Sequence, residues 1–286
     1  MAYGSPLRLE DIRPYLEDIR EGRPVSDTAV EELTERYRRI GGSPLDEMTE
    51  RQRAALEREL GLPVFVGMKH WRPRIADAVE RALGTGADTI VGLVLAPHYS
   101  RLSVDGYRER LEAALAGRAR LVFVESWHTN EPYLDALADR VRGFGGHVVF
   151  TAHSLPARIL DEGDPYREQL LETSRLVAER AGLEAWSFAF QSASPTGEPW
   201  LGRDILDELD ALAERGVDRV LVCPIGFVSD HLEILWDLDV EARERAAELG
   251  LDLERVESLN DDPALIRGLT ELLRQAASVP SAAKTA

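Results

Sequence analysis

Four acidic side chains stand close together in one stretch of the sequence, and their spacing suggests metal chemistry. Glu233, Asp237 and Glu241 are four residues apart, and Asp230 precedes them. On a helix this spacing stacks three carboxylates along one face, where like charges repel by about 0.2–0.5 kcal/mol per pair. Acids in a first helical turn suit the helix dipole, which accounts for Asp230 and Glu233 but not for Glu241. The column therefore predicts a path for a hard cation.

A second candidate is His153, which directly follows an apolar run at 148–152. Imidazole titrates near neutral pH, so this side chain could act as a base or as a nitrogen ligand for a metal ion. The alternative is a histidine that only bonds a local carbonyl. Further polar residues follow other apolar runs: Lys69-His70, Pro97-His98-Tyr99-Ser100, Ser126-Trp127-His128, Gln191-Ser192 and Ser229-Asp230-His231. Because ligands bind at the carboxyl ends of parallel strands, these segments predict one functional edge.

The elements that must position these residues are apolar runs alternating with amphipathic stretches. Runs of strand type occupy 64–68, 89–96, 121–125, 147–151, 186–190, 219–223 and 253–256. Helical periodicity covers 9–20, 26–40, 49–60, 73–83, 104–116, 131–143, 166–182, 203–215, 231–249 and 262–276. Strands that are apolar throughout, each separated from the next by a helix, are typical of a doubly wound parallel sheet. The predicted fold class is α/β.

The strand–helix pattern falls into two similar units. The segment Arg142-Gly-Phe-Gly-Gly146 interrupts the periodicity between them, as expected at a boundary. We therefore expect an N-terminal α/β domain at 1–142, a C-terminal α/β domain at 143–276 and a disordered tail at 277–286.

Composition narrows the possible functions. The 286 residues include 34 basic and 51 acidic side chains, a net charge of −17, which disfavours nucleic acid and anionic membranes as partners. No stretch approaches the ~20 apolar residues of a membrane span, and we expect no signal peptide and a cytoplasmic location.

Cys223 is the single cysteine, so an iron–sulfur cluster held by several thiolates is excluded. Nucleotide-binding glycine motifs and the hydrolase Gly-x-Ser-x-Gly motif are absent.

Several motifs resemble the ferrochelatase family over nearly the whole chain. The two long ones are Thr151-Ala-His-Ser-Leu-Pro156 and Pro224-Ile-Gly-Phe-Val-Ser-Asp-His-Leu-Glu-Ile-Leu-Trp-Asp-Leu-Asp239. Shorter matches follow the family's order: Met1-Ala-Tyr-Gly-Ser-Pro6, Ile40-Gly-Gly-Ser-Pro-Leu45, Gly67-Met-Lys-His70, Leu95-Ala-Pro-His-Tyr-Ser100, Glu125-Ser-Trp127 and Pro199-Trp-Leu-Gly202. The resemblance implies a lyase that inserts ferrous iron into a porphyrin held between two similar α/β domains. Iron is then a substrate, no organic cofactor is needed, and a monomer is expected.

The resemblance also implies a role for each candidate residue. His153 and Glu233 would flank the metal on one face of the macrocycle, while Asp237 and Glu241 continue the acidic path. The sequence leaves open which residue takes the pyrrole protons, and we expect it to be His153, with Glu233 guiding the metal. Tyr3 resembles the axial ligand on the opposite face in monoderm-type enzymes that use coproporphyrin III. Positions that match porphyrin or propionate contacts are Arg20, Arg36, Tyr37, Ser43 and Tyr107.

Two departures from the family pattern matter. The family has an apolar strand immediately before the segment that matches Met1-Ala-Tyr-Gly4, so we expect in-frame codons upstream to encode a Leu/Val-rich strand. Without such a strand, two sheet edges would stay unpaired and Tyr3 would be held less firmly. Some relatives carry a [2Fe–2S] cluster on cysteines, which Cys223 alone cannot hold.

Three alternatives remain open at this point. The porphyrin could be protoporphyrin IX rather than coproporphyrin III. The protein could carry haem or a metal on the same fold without catalysis. It could also insert cobalt or nickel, because carboxylate and imidazole ligands do not select iron by themselves.

Overall fold

The computed structural model describes residues 1–193 and 197–278. The strands in these ranges are β1 Thr89–Leu93, β2 Arg120–Val124, β3 His147–His153, β4 Trp186–Gln191, β5 Arg219–Cys223 and β6 Asp252–Arg255. The α-helices are α1 Ile12–Ile19, α2 Asp27–Ile40, α3 Leu45–Leu60, α4 Ile75–Leu83, α5 Asp105–Leu115, α6 Glu131–Val141, α7 Tyr166–Ala181, α8 Ile205–Glu214, α9 Arg243–Leu249 and α10 Pro263–Ser278. A π-helix, Ile234–Ala242, leads directly into α9.

The strands form two parallel sheets, which confirms the predicted α/β class. One sheet pairs β1 with β2, and the other has the order β4-β3-β5-β6. The central strand β3 is the most deeply buried, and Val148, Val149 and Phe150 have no exposed surface. Side chains of α6, α7 and α10 pack on one side of the larger sheet, and those of α8, the π-helix and α9 on the other. The apolar strands predicted from sequence are therefore covered on both faces.

The predicted strand at 64–68 is wrong, because only Met68 makes bridge contacts, with Ala2 and Arg74. Between residues 62–67 and β1 lies an apolar groove of about 630 Å³. An extended segment becomes part of a regular sheet only when it pairs with a neighbouring strand. Here the groove separates residues 62–67 from β1, so this pairing does not form. Met1 and Ala2 reach across one end of the groove. The Met1 nitrogen donates to the Leu93 oxygen at 2.6 Å, and the Ala2 nitrogen donates to the Gly67 oxygen at 3.3 Å. The strand expected before Met1 lies outside this sequence and stays a prediction.

Several other boundaries differ from the predictions, and three of the differences bear on the site or the groove. β1 ends at Leu93 rather than at 96, and the helix predicted over 231–249 contains a π-helix at Ile234–Ala242. Ala277 and Ser278 belong to α10 rather than to a disordered tail, because the amphipathic helix continues to pack beside the groove. Residues 279–286, the rest of that predicted tail, lie outside the described residues.

The division near 142–143 remains a prediction, although one sheet lies on each side of it. Helix α6, which precedes that point, packs on α7 and α10, which follow it. None of the helices that the structure describes is long and apolar enough to cross a membrane.

Candidate active site

A cavity of about 450 Å³ opens at the carboxyl ends of the strands. This is the edge that the polar residues after the strands predicted. Six of the candidate residues line it, namely Tyr3, Tyr37, Ser43, Tyr107, His153 and Glu233. The imidazole and the first carboxylate of the acidic column therefore face one shared space, as the sequence predicted.

His153 and Glu233 form a close pair on one wall. Nδ1 of His153 lies 3.2 Å from Oε2 of Glu233, and Nε2 of His231 lies 3.7 Å from the same oxygen. Nδ1 of His153 forms no aligned hydrogen bond within the described residues, so the contact is electrostatic. About a third of each side chain of the pair is accessible, 31% and 37%, and the cavity that both residues line provides that access.

The two charges shift each other's pKa. Burial alone would lower the pKa of His153, but the carboxylate of Glu233 raises it above its ordinary value. Burial alone would raise the pKa of Glu233, but His153 and then His231 hold it well below its ordinary value. Opposite charges at this distance stabilise each other's ionised form. The pair therefore holds its proton on His153 rather than on Glu233.

The backbone around His153 is fixed by the larger sheet. His153 ends β3 opposite Gln191 of β4, and the Tyr166 hydroxyl donates to the His153 oxygen at 3.0 Å. Gly226 packs against the strand so closely that a Cβ there would lie 2.5 Å from the Cβ of Ala152. The loop that leads from β5 to Glu233 can approach β3 only because this residue is glycine.

Asp237 continues the acidic column below Glu233. It is buried, and its Oδ2 accepts hydrogen bonds from Ser192 Oγ and from Gln191 Nε2, the latter at 3.3 Å. Burial, followed by the negative charge of Glu233, raises the pKa of Asp237 to about 7. Asp237 can therefore gain or lose a proton near neutral pH. The charge of Glu241 raises the pKa of Asp237 further, which is consistent with a column that continues along the π-helix.

A π-helix explains how the column is arranged. Its hydrogen bonds join residues five apart rather than four, and such segments are rare outside functional sites. Within the described residues no three His, Cys, Asp or Glu side chains surround a single point at ligand distances. Glu233 directly precedes the π-helix, and Asp237 and Glu241 lie within it, so the three carboxylates follow one another along this segment.

Tyr3 lines the cavity from the N-terminal segment. Its ring lies 4.7 Å from that of His70, and its backbone oxygen accepts from the His70 nitrogen at 2.9 Å. Nδ1 of His70 is 3.2 Å from the carboxylate of Asp18. Burial lowers the pKa of His70 to about 4 and raises that of Tyr3 above its ordinary value. Both side chains are therefore neutral at neutral pH in the absence of a bound metal.

The predicted porphyrin contacts divide into two groups. Tyr37, Ser43 and Tyr107 line the cavity, but Arg20 and Arg36 do not. The Arg20 guanidinium donates to the Pro24 oxygen at 3.4 Å, and that of Arg36 lies 5.3 Å from the Trp236 ring centre. Both arginines are exposed, and their long side chains would have to reorient to reach the cavity.

Sequence reasoning gave no role to three residues at the cavity or beside it. Lys69 and Tyr166 line it, and Ser192 bonds Asp237. Lys69 and Ser192 each follow an apolar run, a signal that was visible but not specific. Tyr166 lies at the start of α7, where nothing in the local pattern distinguishes it from a core residue.

The chain matches proteins that act on tetrapyrroles. The family model described as ferrochelatase matches residues 1–277. A protein of Deinococcus radiodurans named ferrochelatase is 46% identical, with 98% of this chain and 95% of that protein aligned. A coproporphyrin III ferrochelatase of Halalkalibacterium halodurans is 40% identical, with 96% and 95% aligned.

Solved structures show the same fold at low identity. SirB from Bacillus subtilis, solved with Fe3+, superposes with a TM-score of 0.63 at 13% identity, covering 81% of this chain and 89% of that one. The architecture is thus that of the chelatases. The family match over nearly the whole chain, together with the His153–Glu233 pair in the shared cavity, leads to one conclusion: the chain belongs to the ferrochelatase family.

Proposed function

We propose that the protein inserts ferrous iron into coproporphyrin III, with His153 as the base and Glu233 as the residue that receives the metal. The observation that carries this proposal is the 3.2 Å pair of His153 and Glu233 on one wall of the cavity, which Tyr3 also lines. A macrocycle bound between these walls would present one face to the pair and the other to Tyr3.

The chemistry exchanges one divalent cation for two pyrrole protons. Neutral His153 accepts a proton from the ring, and the carboxylate of Glu233 stabilises the imidazolium that forms. Any proton already on His153 must leave before it accepts one from the ring, and the first ring proton must leave before it accepts the second. A ferrous ion that reaches Glu233 repels that proton and returns His153 to its basic form. Asp237, with a pKa of about 7, lies next along the π-helix and is suited to accept it.

The acidic column supplies the route for iron. Asp237 and Glu241 offer oxygen ligands in series, so water on the ion can be exchanged stepwise for carboxylate oxygens. No organic cofactor is needed, because the metal is the substrate and no electron is transferred.

Coproporphyrin III is the favoured porphyrin for two reasons. Relatives from Halalkalibacterium halodurans and Geobacillus kaustophilus, 40% and 38% identical, are named coproporphyrin III ferrochelatases. Tyr3 also lines the cavity, where the resemblance implies an axial ligand found in enzymes that use this porphyrin. Protoporphyrin IX is the competing substrate, because the name of the Deinococcus radiodurans relative does not specify one.

The test is anaerobic absorption spectroscopy of the protein with ferrous iron and each of the two porphyrins. We expect faster metallation than in buffer, with a higher kcat/KM for coproporphyrin III than for protoporphyrin IX. His153→Ala and Glu233→Gln should each retain porphyrin binding and lose the rate. Tight binding without any acceleration by the wild-type protein would instead indicate a carrier.

A further inference from the structure

Two positive side chains meet at one corner of the cavity, next to Tyr107. Lys69 lines the cavity, and its Nζ lies 4.9 Å from the centre of the Tyr107 ring. Arg110, one turn further along α5, donates from Nη1 to the Gly106 oxygen at 3.2 Å. Charged side chains of the same sign raise each other's energy when they share a partly buried corner. Among the described residues, Lys69 is the one lysine or arginine that lines the cavity, whose other lining residues include tyrosines, histidines, apolar groups and the His153–Glu233 pair.

The negative charges of Glu109 and Glu21 only partly offset the effects of burial and of Arg110 on the pKa of Lys69. Its Nζ donates to the Ser103 backbone oxygen at 3.1 Å. Among residues 1–193 and 197–278, no carboxylate lies within ion-pair distance of Lys69 or Arg110. Burial, and then the charge of Arg110, lower the pKa of Lys69 to about 8. A buried ammonium without a counter-ion is unfavourable unless a ligand supplies the negative charge.

The neighbouring backbone leaves room for the ammonium group at this place. A Cβ on Gly106 would lie 2.7 Å from Nζ of Lys69 and 2.9 Å from its Cε, so any larger residue would push the lysine aside. The Lys69 backbone is held by the N-terminal segment, because its nitrogen donates to the Ala2 oxygen at 2.9 Å. The same segment carries Tyr3, so the cationic corner and Tyr3 share one support.

We propose that Lys69, supported by Arg110 and the hydroxyl of Tyr107, binds one carboxylate group of the porphyrin. This inference rests on the proposed function and extends it, because the resemblance gave no role to Lys69 or Arg110. The ammonium donates to the carboxylate, and the bound anion supplies the counter-charge that this corner lacks. Arg20 and Arg36 do not line the cavity, whereas Lys69 does.

The test compares coproporphyrin III with its tetramethyl ester, which keeps the macrocycle and removes all four negative charges. Binding is measured without iron, by quenching of protein or porphyrin fluorescence, so the result does not depend on catalysis. Lys69→Met should weaken binding of the free acid by about tenfold or more, the range expected for a charge-assisted hydrogen bond. Binding of the ester should change by less than about threefold, because it has no charge to lose.

Two further variants separate this role from folding and from net charge. Lys69→Arg should restore most of the affinity for the free acid, because guanidinium also binds carboxylates. Arg58→Met removes one positive charge from an exposed position of α3 and should leave both affinities unchanged. Equal losses for acid and ester in Lys69→Met, or no loss for the acid, would overturn the proposal. Failure of the proposed function would show separately, as the absence of iron insertion by the wild-type protein.

Discussion

The two walls of the cavity are supported very differently. His153 ends the central strand of a four-stranded sheet, where β3 pairs with β4 over 148–153 and with β5 over 147–150. Tyr3 lies on an N-terminal segment beside a two-stranded sheet, and an apolar groove of about 630 Å³ adjoins that segment. The comparison shows that the large sheet fixes the His153–Glu233 wall, for which we propose a role in metal insertion, whereas the Tyr3 wall depends on a few local hydrogen bonds.

The largest expected effect concerns the chemistry of the two walls. His153→Ala should lower kcat for metallation by at least about 100-fold, because general base catalysis commonly contributes that much. Tyr3→Phe removes only the hydroxyl from the opposite wall and should lower kcat by less than about tenfold. Both variants are measured anaerobically by porphyrin absorbance, with coproporphyrin binding as the control for folding. If kcat falls further in Tyr3→Phe than in His153→Ala, the catalytic base would have to be assigned to the wall with Tyr3 instead of the wall with His153.

A matched pair of core substitutions tests the structural side of the comparison. Val149→Ala in β3 should lower the free energy of unfolding by about 2 kcal/mol or more, because its side chain is fully buried. Val64→Ala, the same change beside the groove, should cost less than about 1 kcal/mol, because this side chain is only partly buried. Chemical denaturation followed by circular dichroism gives both values. Equal losses would show that the N-terminal wall is as well packed as the large sheet.

Filling the groove should strengthen the weaker wall. The backbone nitrogen and oxygen of Met1 bond the backbone of Leu93 and Leu95, as they would in a parallel pair of strands. A residue added before Met1 would therefore lie opposite Leu93. A five-residue Val/Leu segment joined to Met1 would then run alongside β1, and it should raise Tm by several degrees, since about 1 kcal/mol corresponds to about 2–4 °C. A Gly/Ser segment of the same length is the control. If both segments leave Tm unchanged, the groove does not accept a strand.

The sequence predicted much of the His153–Glu233 wall because two strong patterns coincide there. The apolar run before His153 marks a strand end, and the Pro-Gly break before Glu233 marks the start of a helix, so both were expected at one edge. The π-helix was missed because residues four apart share a face in an α-helix, and the spacing alone does not reveal bonds between residues five apart.

The Tyr3 wall was harder to predict, and the reasons are physical. Residues 64–68 have strand composition, yet the groove beside them leaves them without regular pairing. Arg20 and Arg36 have flexible side chains, and residue type does not determine the direction in which such side chains extend. Lys69 can hold its ammonium group at the cavity because Gly106, 37 residues further along the chain, leaves space for that group. Such long-range contacts are not visible in local patterns.

The most direct test of the central claim is the pH dependence of kcat/KM for iron insertion, in wild type and in Glu233→Gln. The free-enzyme base must be unprotonated, so the rate should rise with pH through the pKa of His153, which Glu233 holds above its ordinary 6.5. Glu233→Gln removes that charge, so the rise should move to lower pH while the maximal rate falls. A rise that stays at the same pH in the variant would contradict the account, because His153 and Glu233 would then not act as one electrostatic pair.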